Sequence, residues 1–171
     1  FSALGIIAAA HLISAQWSYV EAQREYATLQ QYAPDAKATP SGQGKASEQT
    51  TEAQLTLDLS DINPDYIGWI RIEGTKIDYP IVQAKDNEKY LHTTFSSERN
   101  ASGAIFMDYR CRKGFESLPA IIYGHNMKDG SMFASLHHYR DRAYLDEHPE
   151  IIILTADGNK QVYRVFAAFE A

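Results

Sequence analysis

Cysteine occurs once, at Cys111, so no internal disulfide framework holds this chain together. A single thiol neither places the chain outside the cytoplasm nor keeps it inside. Basic charge is also short: 16 Lys and Arg stand against 22 Asp and Glu, a net charge of −6, which leaves no electrostatic footprint for nucleic acid. No glycine-rich phosphate loop is present. His137, His138 and His148 show no His-x-x-x-His spacing, and no Cys-x-x-Cys accompanies them. No metal and no cofactor is expected.

Two further absences divide the chain. Phe1 to Val20 contains no Asp, Glu, Lys or Arg, and its first fifteen residues, FSALGIIAAAHLISA, are almost wholly apolar or small. A membrane span needs roughly 20 such residues, so residues 1–15 are expected to be the end of a transmembrane anchor. The apolar core of a signal peptide cleaved near Ala8-Ala9-Ala10 is the other reading. Either one exports the downstream chain, and the expected location is the cell membrane, single-pass, with the remainder extracytoplasmic. Residues 34–54, PDAKATPSGQGKASEQTTEAQ, lack any aromatic or large aliphatic residue. They cannot bury a face and read as a flexible tether.

Between these segments lies a periodic one. Ala15, Tyr19, Ala22, Tyr26, Leu29 and Ala33 recur at spacings of four and three, one stripe of a helix over residues 16–33 that stops before Pro34. Such a stripe packs on a domain or forms a stalk. The globular part spans residues 55–171. Asn63-Pro64-Asp65 is a turn signal, followed by a β-rich run at 67–72, a turn at 73–75 and a second run at 76–82 with Pro80 at its edge. Residues 86–92 suit a helical turn or two capped by Asp86. Further strands are expected at 104–107, 120–124, 150–155 and 161–169, the last two joined by a hairpin at Asp157-Gly158. Short helices are expected at 132–139 and 142–147. Many short strands with few helices argue for a mainly β domain, a barrel or a sandwich.

The residues able to carry chemistry are few. His125 follows the apolar run Ile121-Ile122-Tyr123-Gly124, which puts an imidazole at the exit of a strand. Cys111, flanked by Arg110, Arg112 and Lys113, has the cationic surroundings that favour a thiolate. If 104–109 and 120–124 form a hairpin, however, Cys111 lies in its loop and His125 at the far end, on the order of 15 Å away at about 3.3 Å per residue. A nucleophile and its base need roughly hydrogen-bond reach, so Cys111 reads as a loop cysteine. Asp108, Asp129 and Asp141 adjoin basic or turn residues and read as solvated or turn-forming.

Several segments together resemble one family. Asn63-Pro64-Asp65-Tyr66-Ile67-Gly68-Trp69-Ile70 and Gly74-Thr75-Lys76-Ile77-Asp78-Tyr79-Pro80-Ile81-Val82-Gln83 resemble the opening strands of class B sortases. Asp86-Asn87-Glu88-Lys89-Tyr90-Leu91 is similar to the family's short helix beside its substrate groove. Gly103 to Arg110, Ile122 to Met127 and Asp129 to Phe133 match in the same order. The resemblance covers about residues 55–171. It implies a sortase-type β-barrel with short helices, incomplete at its C-terminal end, and a cysteine transpeptidase. Such an enzyme cleaves a sorting signal, typically of an Asn-Pro-x-Thr kind, in a secreted protein, holds the acyl part as a thioester and passes it to a cell-wall precursor or pilin amine. His125 matches the family's catalytic histidine. Asn87, Leu91 and Tyr123 match positions near the substrate groove. The family's nucleophilic cysteine and its arginine find no counterpart, because no residue from 126 to 171 is Cys and Arg164 lacks the matching context.

The alternative is a non-catalytic, membrane-tethered module that uses a sortase-like groove to bind peptides. Under either reading residues 1–171 are expected to be inert in peptide cleavage and transpeptidation. Incubating them with a quenched sorting-signal peptide tests this. Thiol-dependent turnover that disappears on Cys111→Ala would revive a Cys111–His125 pair.

Overall fold

A computed structural model describes residue 17 and residues 19–34, 59–115 and 119–169. The expected anchor, residues 1–15, and the expected tether beyond its first residue lie outside the described residues. Among the described residues no helix is long and apolar enough to cross a membrane.

Six strands form one sheet: β1 (Tyr66–Arg71), β2 (Asp78–Val82), β3 (Ile105–Met107), β4 (Ile122–Tyr123), β5 (Glu150–Thr155) and β6 (Lys160–Arg164). Their spatial order is β4-β3-β2-β1-β5-β6. All pairs are antiparallel except β2 with β3. β1 lies in the middle between β2 and β5, which is why Tyr66-Ile67-Gly68-Trp69-Ile70 is buried throughout and reads as an unbroken apolar run. β6, at an edge, alternates exposed and half-buried positions, the period-2 signature of a strand with one wet face. Pro80 sits inside β2 opposite Trp69. The parallel ladder to β3 engages only Ile81 and Val82, so the missing N–H of Pro80 removes nothing from it.

The core gathers around β1 to β3, where Trp69, Ile81, Val82, Ile105 and Met107 have lost all solvent contact. The Trp69 indole, apolar in body but carrying one N–H, donates it to Asp78 Oδ1 at 2.6 Å. Residues 19–30 form helix α1. Its stripe packs on the domain: Ala22, Tyr26 and Leu29 are buried, and Tyr19 and Ala33 lean on the same core. Tyr26 sets its ring edge-on to Tyr79, centroids 5.3 Å apart, and its hydroxyl donates to Gly103 O at 2.7 Å. Polar ties flank the stripe, with Gln30 Nε2 donating to Asp78 O and Ser96 N to Glu25 Oε1.

Several expectations need correction. The sheet is open, with β4 and β6 as its ends among the described residues. Of the barrel and the sandwich weighed from the strand pattern neither is closed here, and the mainly β, incomplete barrel implied by the resemblance is the form that agrees. β6 stops at Arg164. Beyond it Phe166 and Phe169 are 95% and 88% exposed, so apolar character there does not signify strand pairing. Helix α2 (Leu59–Ile62) was not foreseen, being too short to show a period. The helix expected at 132–139 is a 3-10 helix over Ala134–Arg140, while α3 (Arg142–Glu147) follows as anticipated, with Asp141 accepting from Ala143 N at its start.

Gly103 has φ +55, and a Cβ there would collide with the carbonyl oxygens of Tyr90 and Leu91. Gly114 has φ +78 but open space around it. Gly114→Ala should therefore cost about 1 kcal/mol, whereas Gly103→Ala should cost about 2–4 kcal/mol, because strain and a backbone clash add. Urea unfolding midpoints of the two variants measure the difference. Equal losses would show that the Gly103 site relaxes freely.

Candidate functional site

Parallel pairing of β2 with β3 needs a long crossover, and residues 83–104 supply it. Its descent is fixed by Asp86, whose Oδ1 accepts from the N–H groups of Glu88 and Lys89 at 2.9 Å each, and by the short 3-10 helix Lys89–Leu91. Asp86 thus braces the turn that leads into this helix, whose N-cap residue is Glu88 and not the expected Asp86. The crossover lands beside the β3–β4 pair, where Phe106 opposes Tyr123. Between them opens a cavity of about 290 Å³ lined by Asn87, Leu91, Phe106, Tyr123, Gly124 and His125. The four residues singled out in the sequence, His125, Asn87, Leu91 and Tyr123, all lie on this one cavity, although they come from two separate segments.

His125 follows β4 directly and is half-buried. Its backbone carbonyl accepts from Phe133 N at 2.9 Å, and its Nε2 lies 2.7 Å from Leu91 O. A carbonyl only accepts, so Nε2 carries a hydrogen and donates it. In the neutral ring the exchangeable position is then Nδ1. His92 lies nearly parallel to the same ring, with centroids 6.3 Å apart and planes 23° apart.

Behind the wall lies a charge that sequence reasoning missed. Asp108, expected to be solvated or turn-forming, has no solvent exposure. It does form a turn, accepting from Arg110 N at 2.8 Å, but it also accepts from Arg110 Nε at 2.9 Å, Arg110 Nη2 at 2.7 Å, Asn87 Nδ2 at 3.0 Å and Tyr123 Oη at 2.9 Å. The hydrogen bonds from the Arg110 side chain, then from its backbone N–H, hold the Asp108 carboxyl far below the usual carboxylate range against the pull of burial. The hydrogen bond from Tyr123 to Asp108, followed by burial, pushes the Tyr123 phenol above its ordinary value. The one clue in the sequence was an aspartate closing an apolar strand with an arginine two residues on.

Cys111 is not brought to His125. Its Sγ accepts from Ile121 N at 3.4 Å, at the opposite end of β4 from the imidazole. The remaining candidates serve structure. Asp129 accepts from Ser131 N and Oγ and from Gln23 of α1. His148 donates from Nδ1 to Glu73 O at 2.8 Å. His138 lies 5.2 Å from the Tyr144 ring. His137 is exposed as expected, yet Asn126 Nδ2 reaches its Nε2 at 2.6 Å, so Asn126 does more than form a turn. Among the described residues no three His, Cys, Asp or Glu side chains gather into a metal-sized group.

Comparison with known proteins agrees with this arrangement. The sortase domain family matches residues 70–171. Sortase B of Listeria monocytogenes is 43% identical over 137 residues, which is 80% of this chain and 55% of that protein. The crystal structure of sortase B from B. anthracis superposes with a TM-score of 0.71 at 34% identity, covering 88% of this chain and 68% of that one. A Staphylococcus aureus sortase B–substrate complex gives a TM-score of 0.60 at 36% identity over 64% of this chain and 50% of that one. The chain spans about half the length of the curated relatives it matches. The open sheet is accordingly the sortase-type mainly β fold in half-barrel form. The chain belongs to the sortase family, and within it to the class B members.

Proposed function

We propose that the protein carrying these residues cleaves a sorting signal in secreted proteins and joins the acyl part to an amine of a cell-wall precursor or a pilin. The observation that carries this reading is the convergence of His125, Asn87, Leu91 and Tyr123 on one cavity. In this proposal a thiolate attacks the scissile carbonyl while His125 is an imidazolium, and the departing amine takes the proton from Nδ1 as the C–N bond breaks and the thioester forms. The incoming amine then attacks the thioester, gives a proton to the bare Nδ1 and expels the thiolate. An imidazole ring both accepts and donates protons, which suits exchange in both directions. Cys111, held at Ile121, is not the nucleophile in this scheme, so residues 1–171 by themselves are proposed to be inactive.

The reading extends to location. The charge-free run at 1–15 supports a single membrane anchor with the sortase domain outside the cytoplasm. Membrane fractionation with protease treatment of intact cells should find the domain membrane-bound and surface-accessible. Recovery as a soluble protein processed within its first residues would point to a cleaved signal peptide.

The role of His125 has its own test. In the full-length protein, His125→Ala should lower kcat/KM on an Asn-Pro-x-Thr peptide by ~10²–10⁴-fold, with circular dichroism unchanged. Asn126→Ala, His137→Ala and His138→Ala should each change it less than about threefold, since these exposed groups lie off the cavity. A His125→Ala variant retaining more than about a tenth of the activity, a loss of only ~1.4 kcal/mol, would remove His125 from the mechanism.

A further inference from the structure

Two polar side chains on the cavity, Asn87 and Tyr123, share one partner behind the wall. Asp108 Oδ2 receives hydrogens from Asn87 Nδ2 at 3.0 Å, Tyr123 Oη at 2.9 Å and Arg110 Nη2 at 2.7 Å, while Oδ1 receives two more from Arg110. Five donors exceed the roughly four lone-pair sites of an ionised carboxylate, so this carboxylate is saturated and has no hydrogen to give. Each neighbour must therefore point a hydrogen at it. The single hydroxyl hydrogen of Tyr123 is thereby consumed, and its oxygen meets the cavity only as an acceptor. Asn87 is held from both ends, because its Oδ1 also accepts from Tyr109 N at 3.0 Å. The amide cannot flip, and it keeps one uncommitted Nδ2 hydrogen as a donor.

We propose that Asp108 is a positioning residue that sets the donor and acceptor polarity of the His125 cavity. With Asp108 ionised, the wall offers an oxygen acceptor at Tyr123 and an N–H donor at Asn87, the complement of one N–H and one C=O of an extended peptide. Replacing the carboxylate by a carboxamide removes one acceptor oxygen. The Tyr123 hydroxyl can then rotate and turn its hydrogen to the cavity, Asn87 is left with Tyr109 N as its one orienting partner, and the wall's preference for one peptide orientation weakens. A role confined to bracing the turn at 108–111 would leave the polarity of the cavity untouched. The inference rests on the reading of this cavity as a peptide site.

The test uses the full-length protein as wild type, Tyr123→Phe, Asp108→Asn and the double variant. The phenolate absorbance difference between wild type and Tyr123→Phe isolates the ionisation of Tyr123. It should lie above the ordinary tyrosine value of about 10, and a midpoint at or below that value overturns the proposal. On a sorting-signal peptide, Asp108→Asn should raise KM about tenfold while moving kcat less than about threefold. Its effect should be non-additive with Tyr123→Phe, as expected for groups acting as one unit. An unchanged KM, or additive losses, overturns the proposal as well. If Asp108→Asn does not fold, the Tyr123 titration decides alone, since it needs only wild type and Tyr123→Phe. A wild-type protein that cleaves no such peptide refutes the sortase function, and the titration still decides the arrangement around Asp108.

Discussion

Parallel strands cannot be closed by a tight turn, and in this sheet only β2 and β3 run parallel. Chain 83–104 must leave one end of β2 and return to the start of β3, and that excursion is what gives the protein a site. It carries Asn87 and Leu91 over to the β3–β4 pair, where Tyr123 and His125 are waiting. Antiparallel pairing at this point would have allowed a short hairpin and left β4 facing solvent with nothing opposite. The cavity thus follows from strand direction.

A crossover of this length holds a position only if it is fastened. Tyr90 is the main pin: it is 1% exposed, its hydroxyl donates to Asp65 Oδ2 at 2.9 Å and accepts from Asn63 Nδ2 at 3.0 Å. Asn63 is itself buried and also donates to Phe95 O at 2.7 Å. Leaving any member of this buried set unpaired would cost about 1–3 kcal/mol, so the network works as a lock on register. The Lys89–Asp65 ion pair at 2.6 Å adds less, because both partners are partly exposed and such pairs contribute only about 0–1 kcal/mol.

What could be read from the sequence was what depends on neighbours along the chain. β5 over Glu150–Thr155 and α3 over Arg142–Glu147 fall where the apolar runs and turn residues put them. Asp86 announces its turn, Asp157-Gly158 its hairpin, and the Tyr19-to-Ala33 stripe its packing face. Distant partnerships were not legible. Asp108 takes its meaning from Asn87, 21 positions away, and Tyr123, 15 positions away, and nothing local distinguishes a buried carboxylate from a turn aspartate. Phe166 and Phe169 misled for the converse reason: a strand needs a partner, and β6 loses its partner at Glu150, opposite Arg164. The candidate histidine, His125, was singled out through its segment's resemblance and not through its surroundings, which include the unforeseen parallel ring of His92.

The same long-range contacts decide which nitrogen of His125 is left uncommitted. Leu91 O captures Nε2, so the fold itself selects the tautomer. Leu91 O can stand there only because Gly103 beneath it has no side chain. The backbone at Gly103 is held in turn by Ala104 N donating to Tyr90 O at 3.0 Å and by the Tyr26 hydroxyl on Gly103 O. A helix packed across the domain is therefore linked to the imidazole through Gly103 and Leu91. Loss of the Tyr26 hydroxyl would act on His125 through the backbone of the crossover, without touching any atom of the cavity. The helix belongs to the site's support as much as to the domain's packing.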